Sequence, residues 1–247
     1  MLRISVLVPF GADDSVNGKQ RRKVWEHVQK HWVGITQRLY LPIEIIEGHD
    51  TLAGGLCAHA PFIEYPRCGR LPISTSGRTV YHSKPFSVSR ALNDAARRAT
   101  GDVYLLFGAD HIPNPTALVW ACRQLDWHPW QKIYDRIAYA SQAATTAILA
   151  GFAVDSSEWT HHNWPCPGVL AIRANAWNFV GGMDETYEGY GYEDSDLFAR
   201  LSKEFGHTPH ASGEILHELW SGTTERPLYG TSNEAAYRAK WGNAHGL

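Results

Sequence analysis

The order of apolar and helical segments in the first 107 residues constrains the fold more than any other feature of this sequence. Three short apolar runs lie at 3–9, 43–47 and 102–107. Between them, 19–32 and 86–99 carry apolar residues at helical spacing. An alternation of strand, helix, strand, helix and strand predicts a parallel sheet with crossover helices. Ligands of such sheets bind beyond the carboxyl ends of the strands, so the residues that follow each apolar run are candidates for a site.

The remainder of the chain carries weaker patterns. Further elements are predicted at 114–126 (helix), 168–172 (strand), 214–217 (strand) and 233–241 (helix). The pattern at 136–150 is ambiguous, and 51–82, rich in Gly, Pro, Cys and Ser, is expected to form an irregular excursion. Gly101 is expected to end the second helix in a left-handed conformation. A chain of 247 residues without internal repeats fits one domain over 1–247.

Charge and composition exclude several classes of protein. A net charge of −2 and a pI near 6.7 give no indication of a surface that binds polyanions. No stretch approaches the ~20 apolar residues of a membrane helix, and the apolar run at 4–10 is too short for a signal peptide. The cysteines, Cys57, Cys68, Cys122 and Cys166, lack C-x-x-C spacing. We therefore expect reduced thiols, a cytoplasmic location and no membrane insertion.

The segment 181–201, GGMDETYEGYGYEDSDLFARL, is the most informative motif. Its acidic group Glu193-Asp194-Ser195-Asp196 precedes apolar residues at helical spacing, which places the carboxylates in the first turn of a helix. An acidic helix start is often only a solvated cap. Glycines and tyrosines crowd the preceding twelve positions: Gly181, Gly182, Gly189, Gly191, Tyr187, Tyr190 and Tyr192. Capping does not require them, whereas a mobile aromatic loop that delivers a substrate to a carboxylate does.

The stretch GGMDE…GYGYEDSDLFARL resembles the acceptor-side motif of inverting GT-A glycosyltransferases, especially the β1,4-galactosyltransferases and the family 2 enzymes. Their pattern is a GG-x-D-E segment, then an aromatic and glycine stretch that ends in E-D-x-D and a helix. The resemblance implies a Rossmann-like α/β GT-A domain, with a mostly parallel central sheet flanked by helices. It also implies a nucleotide-sugar-binding half at 1–113 and an acceptor-binding half at 114–247.

A divalent metal is implied by the same resemblance. Enzymes of this fold take their ligands from an Asp-x-Asp after a strand and from a distant histidine. The corresponding stretch here is Gly108-Ala109-Asp110, so the first aspartate is missing. The resemblance makes Asp110 and His217 the metal ligands, with His111 as an alternative or additional one. A carboxylate with an imidazole suits Mn²⁺ better than Mg²⁺, although the missing aspartate leaves metal dependence open.

The resemblance also implies a binding site for the nucleotide of the donor. It assigns seven residues to this site: Pro9, Phe10, Glu47, Asp50, Arg90, Asn93 and Asp110. The galactosyltransferases have an arginine after their Pro-Phe, where this chain has Gly11. An arginine such as Arg90 is chemically apt for a diphosphate. The choice of UDP follows from the family alone.

The acidic pair is expected to carry the chemistry. The aspartate of the Glu-Asp pair is the general base of the inverting families, so the resemblance assigns that role to Asp194, with Glu193 orienting sugar hydroxyls. Burial beneath the tyrosines and a bound sugar would raise the pKa of Asp194 toward useful values. Asp196 is expected to be a structural charge of the first turn. The residues assigned to acceptor binding are Asp184, Tyr190, Tyr192, Trp164 and Trp220.

The sequence thus predicts an inverting, divalent-metal-dependent glycosyltransferase of the hexosyltransferase type, which uses Mn²⁺ or Mg²⁺ and a UDP-linked sugar. The acceptor stays open between a protein, a glycan and a modified DNA base. One alternative is a catalytically degenerate protein that binds nucleotide sugars or carbohydrates, as the missing aspartate suggests. The other is a glycoside hydrolase, but its two carboxyl groups must stand about 5–10 Å apart, whereas Glu193 and Asp194 are neighbours in sequence.

Overall fold

The computed structural model describes residues 2–11, 16–39, 42–48, 50, 86–162, 168–206, 211–222 and 230–242. The strands are β1 (Ile4–Pro9), β2 (Ile43–Gly48), β3 (Val103–Leu106), β4 (His111–Ile112), β5 (Trp130–Lys132), β6 (Arg136–Ala140), β7 (Trp159–His162), β8 (Leu170–Arg173) and β9 (Ile215–Glu218). The helices are α1 (Val16–Leu39), α2 (Val88–Arg98), α3 (Pro115–Gln124), α4 (Gln142–Leu149), α5 (Ala174–Val180), α6 (Glu193–Phe205) and α7 (Gly230–Trp241). The predicted excursion at 51–82 lies outside the described residues, as do Cys57, Cys68, Cys166 and Trp164.

The central sheet has the strand order β2-β1-β3-β8-β5. Strands β2, β1 and β3 run parallel, while β8 is antiparallel to both of its neighbours, β3 and β5. Four of the five strands therefore point the same way, with β8 reversed. The predicted α/β class with a mostly parallel central sheet is confirmed, and the sheet is mixed rather than wholly parallel.

Helices cover both faces of the central sheet because its inner strands are apolar on both sides. Successive side chains of a strand point to opposite faces. Val6 and Val8 of β1 accordingly pack in one cluster with Val28 and the other apolar residues of α1. Leu7, between them, packs in a second cluster with Leu92 of α2 and with residues of α5 and α6. The uninterrupted apolar run of β1 is thus the signature of a strand buried on both faces.

A second sheet has the strand order β4-β9-β6-β7 and stands beside the first. Its strands β6 and β9 are parallel, and the other pairs are antiparallel. The ambiguous segment 136–150 divides into β6 and α4. Ser141 separates them, because its hydroxyl accepts a hydrogen bond from the Ala144 amide at 3.0 Å and caps α4. Strand β7 pairs with β6 at the edge of this sheet.

The predicted helices at 19–32, 86–99, 114–126 and 233–241 correspond to α1, α2, α3 and α7. The predicted left-handed Gly101 is wrong, since the cap of α2, Ala99, is extended and Gly101 has no positive φ. Gly101 instead packs against β1: its amide donates to Ser5 Oγ at 2.8 Å, and a Cβ would lie 2.4 Å from that oxygen. Within the described residues, no helix has the length and apolarity to cross a membrane.

Candidate active site

A cleft of about 900 Å³ opens at the carboxyl edge of the central sheet. Four stretches that are distant in sequence contribute to its lining: 9–11 at the end of β1, 106–111 at the end of β3, 189–195 at the start of α6, and 216 with 218–222 in and after β9. This is where ligands bind in open α/β sheets. The cleft therefore joins both sheets and the acidic helix start into one site.

The turn that leads into α6 has an unusual backbone. Tyr192 has φ 66° and ψ −8°, and of the described residues that are not glycine it alone has a positive φ. Gly189 and Gly191 also have positive φ values, 69° and 111°. A left-handed conformation costs an L-residue about 1–2 kcal/mol, and such strain is concentrated at functional sites. The turn places Glu193 and Asp194 on the wall of the cleft.

The Glu193–Asp194 pair combines burial with mutual repulsion. Glu193 is 5% exposed, and its Oε2 accepts the Gly191 amide at 2.5 Å. Burial, and then the charge of Asp194, raise the pKa of Glu193 to about 8. Burial likewise raises the pKa of Asp194, although its Oδ1 accepts the Ser195 amide at 2.7 Å. The pair thus keeps a proton at a pH where exposed carboxyls have lost theirs, which suits proton transfer near neutrality.

The third carboxylate of the motif faces inward. Asp196 is fully buried, and its oxygens lie 2.8 Å from Arg200 Nε, from Lys240 Nζ and from the indole nitrogen of Trp241. These contacts tie α6 to the end of α7. These contacts agree with the structural role that the sequence predicts for Asp196.

Asp110 lines the cleft beside two further polar groups, His111 and Glu218. The Ser221 hydroxyl donates to Asp110 Oδ2 at 2.7 Å. His111 Nδ1 accepts the Gly108 amide at 2.9 Å, so Nε2 carries the proton, 3.3 Å from Glu218 Oε2 and 3.8 Å from Asp110 Oδ1. Burial lowers the pKa of His111, but the hydrogen bond with Glu218 and the two carboxylate charges raise it more, so the net shift is upward.

His217 is not among the residues that line the cleft, so its predicted pairing with Asp110 stays a prediction that its position does not support. Leu216 and Glu218, its neighbours along β9, line the cleft, and alternate residues of a strand point to opposite faces. The ring of His217 packs edge-on against Trp159, with the ring centroids 4.7 Å apart. Glu218 is not among the residues predicted from the sequence. The two-residue period of a strand indicates it, because Glu218 follows His217 and therefore points to the opposite face.

The described residues contain no group of three or more His, Cys, Asp or Glu side chains arranged to hold a metal ion. His111 engages both ring nitrogens with protein groups and offers no free lone pair. Asp110 and Glu218 both line the cleft. Such a donor set fits a hard cation that takes one or two carboxylates plus phosphate and water oxygens. It does not fit a carboxylate–histidine site.

The residues assigned to donor binding separate into two groups. Pro9 and Phe10 line the cleft, and Arg21 of α1, which the sequence analysis missed, lines it too. Glu47 does not: its Oε1 accepts the Trp25 indole at 2.6 Å and the Gln29 amide at 3.2 Å. Its carboxylate therefore fixes α1 to β2.

Arg90, Asp50 and Asn93 also lie outside the residues that line the cleft. Arg90 and Asp50 form a bidentate pair, with Nε–Oδ1 and Nη2–Oδ2 distances of 2.7 and 2.8 Å and side chains 6% and 1% exposed. The amide group of Asn93 exchanges hydrogen bonds of 3.0 and 2.9 Å with the backbone of Met183. Direct contact of these three side chains with a donor stays a prediction, and each is engaged within the protein.

Among the residues assigned to acceptor binding, Tyr190, Tyr192 and Trp220 line the cleft. Asp184 does not. Burial raises its pKa, but hydrogen bonds from Thr186 and the ion pair with Lys240 at 3.0 Å outweigh this and lower the pKa to about 2. Asp184 therefore holds the glycine- and tyrosine-rich loop to α7, and its role in acceptor binding remains unsupported by its position.

The fold and the site define an α/β protein with a ligand cleft at the carboxyl edge of its sheet and a buried acidic pair in that cleft. Residues 151–217 match the family model of the N-terminal domain of galactosyltransferase. This segment contains the glycine- and tyrosine-rich loop and the acidic pair. The match confirms the predicted resemblance to GT-A glycosyltransferases in the part of the chain that carries the motif. No match was found among curated protein sequences.

Solved structures with similarity to this chain are distant from it. The catalytic domain of Drosophila β1,4-galactosyltransferase 7 in complex with xylobiose has a TM-score of 0.44 at 14% identity, over 94% of this chain and 69% of that one. A mutant of that enzyme in complex with manganese, UDP-Gal and xylobiose gives the same values. Glucosyl-3-phosphoglycerate synthase of Mycobacterium tuberculosis has a TM-score of 0.36 at 13% identity, over 96% and 77%.

Proposed function

We propose that this protein is an inverting glycosyltransferase that moves a sugar from a nucleotide donor, UDP-linked by its family resemblance, to a hydroxyl of a carbohydrate acceptor. One observation carries the proposal: Asp110 after β3 and Asp194 at the start of α6 line the same cleft. Such a cleft lets a donor phosphate and an acceptor hydroxyl approach from opposite walls. The galactosyltransferase match over residues 151–217 supports this assignment.

Asp194 accepts the proton of the acceptor hydroxyl as the acceptor oxygen attacks the anomeric carbon. The bond between that carbon and the diphosphate oxygen breaks, and the nucleoside diphosphate leaves with the electron pair. A displacement in one step inverts the anomeric configuration. Glu193, protonated up to about pH 8, accepts the Gly191 amide and so holds the turn before Asp194 without adding a second negative charge beside the leaving diphosphate.

The opposite wall of the cleft receives the donor. Arg21 and His111 line the cleft, and the guanidinium of Arg21 carries a positive charge that suits a diphosphate. Asp110, with Glu218 beside it, would hold a divalent cation such as Mn²⁺ or Mg²⁺. When bound, that cation neutralises charge on the diphosphate.

Aromatic side chains form the acceptor end of the cleft. Tyr190, which is 55% exposed, and Tyr192 and Trp220 line it. Flat apolar rings with a polar edge suit the faces of sugar rings. The acceptor class that this surface fits best is a carbohydrate hydroxyl.

The test is the release of nucleotide from a panel of sugar nucleotides with Mn²⁺ or Mg²⁺, with and without sugar acceptors. Asp194→Asn should lower transfer by about 10²–10⁴-fold, the usual contribution of a general base, while donor binding is retained. The matched control is Glu188→Gln, which changes an exposed carboxylate of the same loop and should leave transfer unchanged. Donor binding without turnover in the wild type would instead support the degenerate alternative. Full transfer by Asp194→Asn would place the base elsewhere.

A further inference from the structure

Two histidines stand one helical turn apart on the outside of α1, away from the residues that line the cleft. His27 and His31 are spaced i,i+4, so their side chains lie side by side on the helix surface. Their Nε2 atoms are 3.2 Å apart and their ring centroids 5.0 Å. His31 is exposed and His27 is half-buried. The proposed transfer reaction makes no use of either residue.

The separation of the two nitrogens matches the bite of a chelate. Imidazole nitrogens bind zinc at about 2.0–2.1 Å. Two nitrogens that are 3.2 Å apart would subtend roughly 100–105° at an ion bound at that distance. This angle lies between those of square-planar and tetrahedral coordination, the geometries that Cu²⁺ and Zn²⁺ adopt. In the absence of an ion the same two atoms are within hydrogen-bond distance of each other.

Both imidazoles are also in the state that binds metal. A ligand histidine must be neutral. Burial lowers the pKa of His27, and the charges of His31 and Lys30 lower it further. Burial lowers the pKa of His31 as well. At neutral pH the pair therefore offers lone pairs rather than two positive charges.

We propose that His27 and His31 form a surface chelate for a late first-row divalent ion, Zn²⁺ or Cu²⁺, that is separate from the cleft. No third His, Cys, Asp or Glu completes such a site among the described residues, so water or an added ligand takes the other positions. Lys23 and Lys30 on the same helix make the surface unattractive to cations that bind by charge alone. The site therefore selects ions that prefer imidazole and excludes Mg²⁺ and Ca²⁺.

Chelation would link two successive turns of α1. Because the unfolded chain does not hold the two rings at this distance, the ion binds the folded state more tightly and raises the melting temperature. The site gives a metal response that does not depend on the proposed transferase activity.

The experiment is calorimetric titration of the full chain with Zn²⁺ and, separately, with Cu²⁺. With Mg²⁺ in large excess to occupy the carboxylates of the cleft, one ion per chain should bind, with at least about a tenfold loss of affinity in His27→Gln and in His31→Gln. His128→Gln, a histidine outside this pair, and Asp110→Asn, in the cleft, should retain the binding. Mg²⁺ in large excess should not compete.

A reconstructed pair separates chelation from any effect on folding. Lys23→His in the His31→Gln background places two histidines at i,i+4 again, one turn earlier on an exposed part of α1, and should restore the affinity. The proposal is overturned if either single variant binds like the wild type, or if the reconstructed pair stays as weak as His31→Gln with circular dichroism unchanged.

Discussion

At the scale of single residues, the burial of Glu193 makes stability depend on pH. Its pKa rises from an ordinary 4.5 to about 8 in the folded protein. Between these values the folded state holds a proton that the unfolded state has lost, so the free energy of unfolding falls as pH rises through that window. The raised pKa of Asp194 acts in the same direction. The acidic pair therefore stabilises the fold most at low pH.

We predict that Glu193→Gln flattens this dependence, because an amide cannot ionise. Thermal unfolding from about pH 5 to about pH 9 should show a smaller decline in melting temperature for the variant than for the wild type. Glu188→Gln removes an exposed carboxylate of the same loop and should keep the decline of the wild type. Equal slopes in all three proteins would show that Glu193 ionises normally in the fold.

The Arg90–Asp50 pair gives a second prediction. If Arg90 serves the buried ion pair, its removal lowers stability, whereas if it contacts the donor, its removal lowers nucleotide affinity. Arg90→Met would leave the carboxylate of Asp50 buried without its partner, and chemical denaturation should show a loss of about 3–5 kcal/mol in the free energy of unfolding. Arg97→Met on the same helix removes an arginine that is 59% exposed, and its cost should be at most about 1 kcal/mol. Unchanged stability with lost nucleotide affinity would instead make Arg90 a donor ligand.

At the scale of elements, α7 holds the loop that carries the acidic pair. Asn233 is 4% exposed, and its amide donates to the carbonyls of Glu188 at 2.8 Å and Gly191 at 2.9 Å. The ring of Tyr237 lies 5.4 Å from that of Tyr192. Farther along the helix, Lys240 pairs with Asp184 and Asp196. The strained turn before α6 is thus fixed from the side of α7.

We predict that Asn233→Asp, which keeps the shape but removes the two donors, lowers the turnover of the proposed transfer roughly 10–100-fold, since a displacement of about 1 Å can have that effect. Nucleotide affinity should change little, because the hydrogen bonds of Asn233 go to the loop that carries the acidic pair. Ala239→Gln alters an exposed position of the same helix and serves as the control. Steady-state kinetics with unchanged turnover in Asn233→Asp would remove α7 from the positioning of the loop.

The sequence predicts those helices and strands that are long enough for their apolar periodicity to be recognised. Four or more apolar residues recur at the period of the element in β1, α1, α2 and α6. The different directions of Asp194 and Asp196 follow from the angle of roughly 200° between residues two apart on a helix. β4 has two residues and β5 three, so neither shows a period. The partners of Arg90 and Asn93 lie 40 and 90 residues away. Only tertiary packing reveals that these polar side chains are engaged within the protein.

At the scale of the whole molecule, the cleft depends on contacts between the two sheets. The Leu219 amide donates to the carbonyl of Asp110 at 2.9 Å, and the Ser221 hydroxyl donates to its carboxylate. These bonds extend the pairing of β9 with β4 into the segment that follows β3. Ile137 and Leu216 of the second sheet belong to the same apolar cluster as Val6 and Val8 of the first. The halves proposed to bind donor and acceptor therefore share one core.

A shared core predicts one cooperative unfolding transition. A bound UDP-sugar should therefore stabilise the whole protein and shift that single transition. A UDP-sugar at about 100 times its dissociation constant should stabilise the folded state by about 2.7 kcal/mol, which corresponds to roughly 5–10 °C for a domain of this size. Tryptophan fluorescence and far-ultraviolet circular dichroism should give the same midpoint, with and without the ligand. Two transitions, of which the ligand moves only one, would mean that 1–113 and 114–247 unfold as separate domains. In that case the Asp110 wall and the Asp194 wall would not be held at a fixed distance, and transfer between them would require a closing motion.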